Sequence, residues 1–237
     1  MEHPLVKKPR TQRGLKTLNK ILSAAAQVFY EKGYSAANVK DIAKLAGIAT
    51  GTFYIYFNGK YELYKFLLLQ CSHQIRKHLS ICTQGCKTRR EVERVGLRCW
   101  LEFILENQYV YNIIWESLYV DRSLFEEYYN TFCSAYVKNL QNAQLQGEVR
   151  QIDTEVLAYV LMGATSFLGL NWGLFRTGTP QLDYVVDEFM KILDGGMFQQ
   201  SISQPQERLV QQPQKPKQNI MFNVEIDEDF YAGTIEV

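Results

Sequence analysis

Apolar residues recur three and four positions apart along most of this chain, which is the spacing of amphipathic helices. The first such stripe predicts a helix over about 17–32 that ends at Gly33; its members are Leu18, Ile21, Leu22, Ala25 and Phe29. The same spacing predicts further helices near 60–80, 88–106, 108–119, 123–146, 152–176 and 180–198. Before residue 199, no run alternates with period two for long enough to indicate a sheet. The pattern therefore predicts an all-α fold.

The stretch Asn38–Phe57 is predicted to form two short helices joined by a tight turn. Gly47 stands where the first helix must stop, because only glycine takes a positive φ without a Cβ clash. Ala43, four residues earlier, is small enough to let two helices cross closely. Thr50-Gly51-Thr52 opens the second helix, and three aromatic residues after it supply a buried side. This spacing is typical of a helix-turn-helix, whose second helix enters the DNA major groove.

The block from Ile21 to Leu63 resembles the N-terminal domain of the TetR/AcrR (tetracycline-repressor-like) family of transcriptional regulators. The likeness rests on ILSAAAQVFYEKGYSAANVKDIAKLAGIATGTFYIYF and the NGKYEL that follows. Three positions depart from the family pattern. Ala49 replaces the Ser or Thr that usually caps the recognition helix, Thr50 stands where many members are basic, and Tyr61 stands where glutamate is usual.

The resemblance implies a sequence-specific DNA-binding regulator, a ligand-responsive repressor that acts as a homodimer on double-stranded operator DNA. The residues expected at the DNA are Lys40, Lys44, Thr50, Gly51, Thr52, Tyr54, Tyr56 and Lys60. By resemblance Tyr54 and Lys60 contact the phosphate backbone, and Thr50 and Thr52 can meet base edges. Packing in the core is the favoured alternative for Tyr56, and Lys40 and Lys44 can also be ordinary solvated lysines.

Charge is unevenly distributed, although the formal net charge is only +1. Residues 1–65 hold eleven Lys and Arg against four Asp and Glu, about +7, and the rest holds fifteen against twenty-one, about −6. A basic head on an acidic body fits a head that meets phosphates. Residues 1–16 contain two prolines and many basic residues without an apolar period. They are predicted to form a disordered basic arm, which either lies along DNA or is a solvated tail.

The chain is thus predicted to have four parts: the arm 1–16, a DNA-binding domain 17–60 with its helix-turn-helix at 38–57, a helical ligand-binding and dimerisation domain 61–198, and a tail 199–237. The tail opens with a stretch rich in Gln, Pro, Ser and Lys, which predicts a flexible linker. Alternating apolar residues from Ile220 onward then indicate a hairpin or a docking motif.

The 61–198 domain is rich in aromatic residues. Any one of them fits a helical core, but together they can line an apolar cavity between helices, and in the family such a cavity binds a small molecule. The candidate contacts for a small apolar or aromatic ligand are Tyr111, Trp115, Tyr119, Phe132, Tyr136, Phe167, Asn171 and Trp172. By resemblance the last two helices pair with a second copy as a four-helix bundle, and Gly163 and Gly169 fit close packing there.

No sequence pattern indicates an enzyme, because a glycine-rich phosphate loop, HExxH and GxSxG are all missing. An all-α enzyme and a regulator that recruits a protein partner through its tail remain alternatives. No cofactor or metal is predicted, since His73 and His78 are five residues apart and Cys82 and Cys86 lack a second ligand pair. A redox role for that cysteine pair stays open.

The sequence also predicts a cytoplasmic protein that does not enter a membrane. The basic N-terminus has no apolar core behind it, and no run approaches the roughly 18 consecutive apolar residues of a membrane span. The five cysteines are odd in number and scattered, as expected for reduced thiols.

Overall fold

The computed structural model describes residues 5–176 and 181–198. Within these ranges the helices are α1 Gln12–Ala36, α2 Val39–Leu45, α3 Thr50–Tyr56, α4 Lys60–Thr83, α5 Arg89–Glu106, α6 Gln108–Val120, α7 Arg122–Leu145, α8 Thr154–Gly169 and α9 Leu182–Gly196, with a π-helical segment Leu170–Phe175 after α8. The described residues form no strand; Val149 and Phe198 make an isolated antiparallel bridge. The predicted all-α fold is confirmed.

The described residues divide into two compact units. The first unit comprises 5–74 and 109–128, and the second comprises 75–108, 129–176 and 181–198. The predicted domain boundary after residue 60 falls inside α4, which begins at Lys60 and continues to Thr83. The segment 109–128, assigned from sequence to the second domain, belongs to the compact unit that holds the helix-turn-helix. The predicted tail 199–237 lies outside the described residues.

The N-terminal arm differs from its prediction. Helix α1 begins at Gln12, where the Thr11 side chain caps it by accepting the Gly14 N–H at 3.0 Å. Before the helix, Val6 is buried and the Lys7 N–H donates to the Tyr56 carbonyl at 2.9 Å. The prediction of disorder over residues 1–16 was therefore wrong for this part, because one buried valine gives no periodic signal. The predicted stripe of α1 is buried as expected.

The first unit turns sharply where α1 is interrupted at Gly33. This glycine has φ 72°, and a Cβ there would lie 2.9 Å from the Glu116 Oε1 atom. Glu116, on α6, accepts the Tyr34 N–H at 2.6 Å. The backbone angle therefore requires glycine at this position, and a Cβ would also displace the Glu116 carboxylate from Tyr34.

The second unit is built on α5, which packs against α8, α9 and the π-helical segment. Gly173 allows the closest approach, because a Cβ there would lie only 2.6 Å from the Cγ2 atom of Ile104. Among the described residues, three ion pairs cross from α5 to α9; they join Arg90 to Asp194, Arg94 to Asp187 and Arg98 to Asp183. These pairs are partly exposed, so they fix the register of the two helices more than they add stability.

The combined helix Thr154–Phe175 is long and apolar enough to cross a membrane by length and composition, yet only 28% of its most apolar window is buried within the chain. Its buried side, which includes Leu157, Ala158 and Leu161, belongs to the core of the second unit. Its opposite side presents Val156, Val160 and Phe167 to the surface. Among the residues that the structure describes, the second unit therefore presents an apolar face along α8.

Candidate nucleic-acid interface

The helix-turn-helix forms over the predicted residues. The Asn38 side chain caps α2 by accepting the Asp41 N–H at 2.9 Å. Gly47 has φ 67° and ends that helix, and the next N–H, of Ile48, returns to the Ala43 carbonyl at 3.0 Å. Ala43 is buried. The turn therefore depends on the two small residues that the sequence singled out.

The second helix, α3, separates into a buried and an exposed side. Phe53, Tyr56 and Phe57 are buried in the first unit. The other side consists of five residues that we call the recognition surface: the exposed Gly51, Tyr54 and Ile55 and the half-buried Thr50 and Thr52. Tyr54 is 48% exposed and Ile55 60% exposed. A Cβ on Gly51 would meet nothing within 4 Å, so packing inside the chain does not require a glycine there.

Ile55 is a member of the recognition surface that sequence reasoning missed. It was missed because an apolar residue on a short helix is ordinarily assigned to the core. The helical spacing does indicate its position. Phe53, Tyr56 and Phe57 are three and four residues apart and share the buried side, and Ile55 does not fall on that side. Leu45, at the end of α2, is likewise 47% exposed.

Lys40 and Lys44 are both exposed, one turn apart on α2. The acidic residue between them, Asp41, already interacts with the Lys32 ammonium at 2.8 Å and the Asn38 amide at 2.9 Å. Because Lys32 and Asn38 already bind the Asp41 carboxylate, it does not neutralise Lys40 or Lys44. We call these two lysines the positive edge.

Tyr56 does not join this surface. It is 8% exposed, and its hydroxyl donates to the Gly14 carbonyl at 3.1 Å. The alternative of core packing is therefore the better description of this residue.

Tyr54 keeps its ring outward, stacked edge-on against Phe53 with centroids 5.3 Å apart. The Lys7 ammonium donates to the Tyr54 carbonyl at 3.3 Å, so the ordered arm adds positive charge at the end of α3.

Lys60 is engaged inside the unit. Its ammonium donates to the carbonyls of Tyr34 at 2.6 Å and Ala37 at 2.8 Å, and it lies 4.2 Å from the centroid of the Tyr34 ring. Burial of that ring, with a contribution from Glu62, raises the pKa of Tyr34. Lys60 therefore holds the chain that follows Gly33, and the structure does not present it as a phosphate ligand.

The departures at Ala49 and Tyr61 have different consequences. Ala49 occupies the N-cap of α3 and makes no side-chain hydrogen bond to the helix.

Tyr61 donates its hydroxyl to the Asp121 carboxylate at 2.6 Å, which is the main reason that the pKa of Tyr61 is raised to about 12. A second tyrosine on α4, Tyr64, donates to the Ile113 carbonyl at 2.6 Å. With the bond from Tyr34 to Glu116, these contacts join α1 and α4 to the segment 109–128.

Replacing Ala49 with Ser should stabilise the first unit. The serine oxygen would accept an N–H of the first turn of α3, which now has no side-chain acceptor, and such a cap adds about 1 kcal/mol. Urea denaturation followed by circular dichroism should show a higher midpoint with an unchanged slope. Ala49→Val, which supplies no acceptor, should give no increase; an equal gain from both variants would contradict the capping argument.

The predicted ligand contacts are distributed over both units. In the first unit Tyr111 is buried, Trp115 packs against Phe125, and Tyr119 is 87% exposed. In the second unit, Phe167 is exposed and the Asn171 carbonyl accepts the Arg176 N–H at 3.1 Å. The remaining three rings each have a cationic partner: Arg76 for Phe132, Arg89 for Tyr136 and Arg176 for Trp172. Within one chain, the exposed Tyr119 and Phe167 do not line an enclosed cavity.

Tyr136 belongs to a buried polar network that sequence reasoning missed. Arg89 and Glu93 are both buried and paired, and the Tyr136 hydroxyl donates to the same Glu93 carboxylate. Burial and the negative charge of Glu93 raise the pKa of Tyr136 well above its ordinary value. This tyrosine is thereby fixed in the core of the second unit rather than available to a ligand.

Comparison with known proteins agrees with the helix-turn-helix geometry. Residues 21–66 match the family described as bacterial regulatory proteins, tetR family. The chain is 33% identical over 90 residues to the HTH-type transcriptional regulator TtgR of Pseudomonas putida, a match that covers 38% of this chain and 40% of TtgR. It is 29% identical over 112 residues to the transcriptional activator FasR of Mycolicibacterium smegmatis, covering 47% of this chain and 49% of FasR. The chain thus spans less than half the length of these relatives.

The fold extends further than the sequence match. The fatty acid degradation regulator FadR from Bacillus halodurans superposes with a TM-score of 0.68 at 21% identity, covering 78% of this chain and 96% of that protein. FadR from Bacillus subtilis, solved in complex with stearoyl-CoA, gives a TM-score of 0.65 at 20% identity over 75% and 97% of the two chains. Residues 21–66 therefore form a DNA-binding domain of the kind found in the tetR family of bacterial regulatory proteins.

Proposed function

We propose that this protein is a cytoplasmic, ligand-responsive transcriptional regulator that binds operator DNA as a homodimer and has no enzymatic activity. The observation that carries the proposal is the recognition surface of α3, on which Gly51, Tyr54 and Ile55 are exposed, together with the exposed Lys40 and Lys44 on the preceding helix. In this proposal α3 enters the major groove and α2 lies across the backbone.

The chemistry of the recognition surface suits base edges. Thr50 and Thr52 offer hydroxyls to hydrogen-bonding groups of the bases, and Ile55 offers an apolar contact to a thymine methyl. Gly51 lets the helix backbone approach the groove closely, because no side chain stands between them. We expect Tyr54, which is 48% exposed near the end of the helix, to contact a phosphate.

Two copies are needed, because one short helix reads too few base pairs for specificity in a genome. In this proposal the second copy covers the apolar face of α8, and the exposed Tyr184 and Ile192 of α9, 59% and 70% exposed, add apolar surface. Gly163 is on this face, and a Cβ there would meet nothing within 4 Å in its own chain. A second copy packed against Gly163 would account for a glycine in the middle of a helix.

A long-chain acyl thioester is the first ligand class to test. The support is the similarity in fold to FadR of Bacillus subtilis, which was solved with stearoyl-CoA, and the aromatic content of the segment 109–175. Such a ligand releases DNA only if it prefers a shape of the protein that binds the operator poorly. Stearoyl-CoA should therefore lower operator affinity in a fluorescence anisotropy titration, and free coenzyme A should not; equal effects would remove the acyl chain from the proposal.

Neutralising the positive edge should reduce the salt dependence of DNA binding. For Lys40→Gln and Lys44→Gln, the slope of log affinity against log salt should fall by about 1 for each phosphate that the protein no longer neutralises. The measurement is anisotropy with an operator selected from a random library, repeated over a salt series. Lys138→Gln, an exposed lysine on α7, is the matched control and should leave the slope unchanged. If all three variants keep the parent slope, α2 does not lie on the backbone.

A further inference from the structure

One histidine and two cysteines meet between two helices of the second unit. His78 and Cys82 lie one turn apart on α4, and Cys99 faces them from α5. The Nε2 atom of His78 lies 3.5 Å from the Sγ atom of Cys82, and the three ligand atoms all lie within 4.8 Å of one another. The proposed function uses none of these side chains.

We propose that His78, Cys82 and Cys99 bind a zinc ion, with the fourth coordination position left to water. Imidazole nitrogen and thiolate sulfur are the donors that Zn²⁺ takes in proteins, at about 2.0–2.1 Å and 2.3 Å. At a tetrahedral angle these bond lengths place nitrogen and sulfur about 3.6 Å apart and two sulfurs about 3.8 Å apart. The separation of His78 and Cys82 already has this value. Because no two of the three ligand atoms are more than 4.8 Å apart, the Cys99 sulfur would have to move by at most about 1 Å to complete the triangle.

The surroundings favour a cation in this place. Cys99 is buried, and the Phe103 ring packs on the His78 imidazole with centroids 5.2 Å apart. Glu102, one turn after Cys99 on α5, acts electrostatically on both His78 and Cys99. Its carboxylate also accepts from the Arg98 guanidinium at 3.1 Å, and Arg98 acts on Cys99 as well. A carboxylate held in this way beside buried and half-buried donors can orient the ligands of a bound divalent ion.

The partner of Cys82 is therefore not the cysteine that the sequence suggested. Cys86 lies in the loop after α4, where its N–H donates to the Thr83 carbonyl at 3.1 Å. It stands four residues beyond Cys82 and is not a member of the trio. Similarly, His73 is an exposed histidine on the same helix as His78. These two residues provide a matched cysteine and a matched histidine as controls.

The test is zinc binding by the purified, fully reduced chain, measured in competition with a chromophoric chelator. The parent should bind one Zn²⁺ per chain, and Co²⁺ in its place should produce a thiolate charge-transfer band. Cys82→Ser, Cys99→Ser and His78→Asn should each lower zinc affinity by about 100-fold or more, because losing a direct ligand exceeds the loss of 10–100-fold typical of outer partners. Cys86→Ser and His73→Asn should bind as the parent does.

A second measurement on the parent chain avoids relying on variants of a buried cysteine. Saturating Zn²⁺ should protect Cys82 from alkylation, read by mass spectrometry of peptides, while Cys86 continues to react. Zinc should also raise the melting temperature by about 3 °C or more, because it binds the folded chain preferentially. Lack of protection, unchanged affinity in Cys99→Ser, or binding of Cu⁺ but not Zn²⁺ would each overturn the assignment. So would a Cys82–Cys99 disulfide formed by peroxide in a chain that shows no zinc affinity.

Discussion

Replacing Val160 with Asp should convert the protein to a monomer and lower its affinity for a two-half-site operator by about 100-fold or more. Val160 is 59% exposed in one chain, at the centre of the apolar face of α8. A carboxylate there would be buried without a partner if a second copy covers the face, and that cost opposes association. A lone head would then bind one half-site only, without the gain that comes from holding two heads together.

The experiment combines sedimentation or light scattering with operator titration of the same samples. Circular dichroism should show an unchanged helical content, since an exposed residue contributes little to the fold of its own chain. Leu145→Asp is the matched control, because Leu145 is 87% exposed at the end of α7 and is on neither α8 nor α9. A Val160→Asp protein that remains dimeric and keeps its operator affinity would show that another surface forms the dimer.

Replacing Lys60 with Met should lower the free energy of unfolding by about 3 kcal/mol, the lower end of what two hydrogen bonds from a charged group contribute, because the lysine is partly exposed. Two short hydrogen bonds from the ammonium to the carbonyls of Tyr34 and Ala37 would be removed, and hydrogen bonds to charged groups contribute about 1.5–3 kcal/mol each. Methionine keeps the apolar stem of lysine but supplies no donor, so the carbonyls after Gly33 would have no replacement for the ammonium. Urea denaturation would measure the change.

Two comparisons separate this role of Lys60 from a phosphate contact. Lys65→Met removes a lysine of the same helix whose ammonium lies 3.7 Å from an exposed Glu127 carboxylate, and such pairs contribute at most about 1 kcal/mol. The salt dependence of DNA binding should remain that of the parent in Lys60→Met, whereas removing a lysine that neutralises a phosphate would lower the slope by about 1. A stable Lys60→Met protein with a reduced slope would restore the phosphate contact that the family resemblance implies.

Much of the fold was predictable because most helices here bury one face and expose the other. The stripe from Leu18 to Phe29 predicted the first helix, and Gly47 predicted the end of α2. Each of these signals is local, because it depends only on residues close together in the sequence. Helix α3 occupies the residues that the motif predicted, Thr50–Tyr56. The boundaries of α5 to α9 fall within a few residues of the breaks seen in the sequence.

The candidate site was only partly predictable. Sequence register identified α3, but the outward position of Ile55 and the inward position of Tyr56 depend on which side of that helix meets α1 and the arm. The hydroxyl of Tyr56 finds Gly14, 42 residues away, and Val6 is buried although no periodic pattern contains it. A pattern cannot reveal such contacts, because it carries no information about which segments pack together.

The sequence by itself determined the class of fold, the positions of the helices, the basic head and the helix-turn-helix, since each follows from the order of neighbouring residues. Only the tertiary structure decided that Lys60 is held by backbone carbonyls, that Glu116 receives the N–H of Tyr34 across 82 positions, and that Cys99 joins His78 and Cys82. The physical reason is that helix periodicity is local, whereas hydrogen bonds and donor clusters between helices depend on how the helices pack.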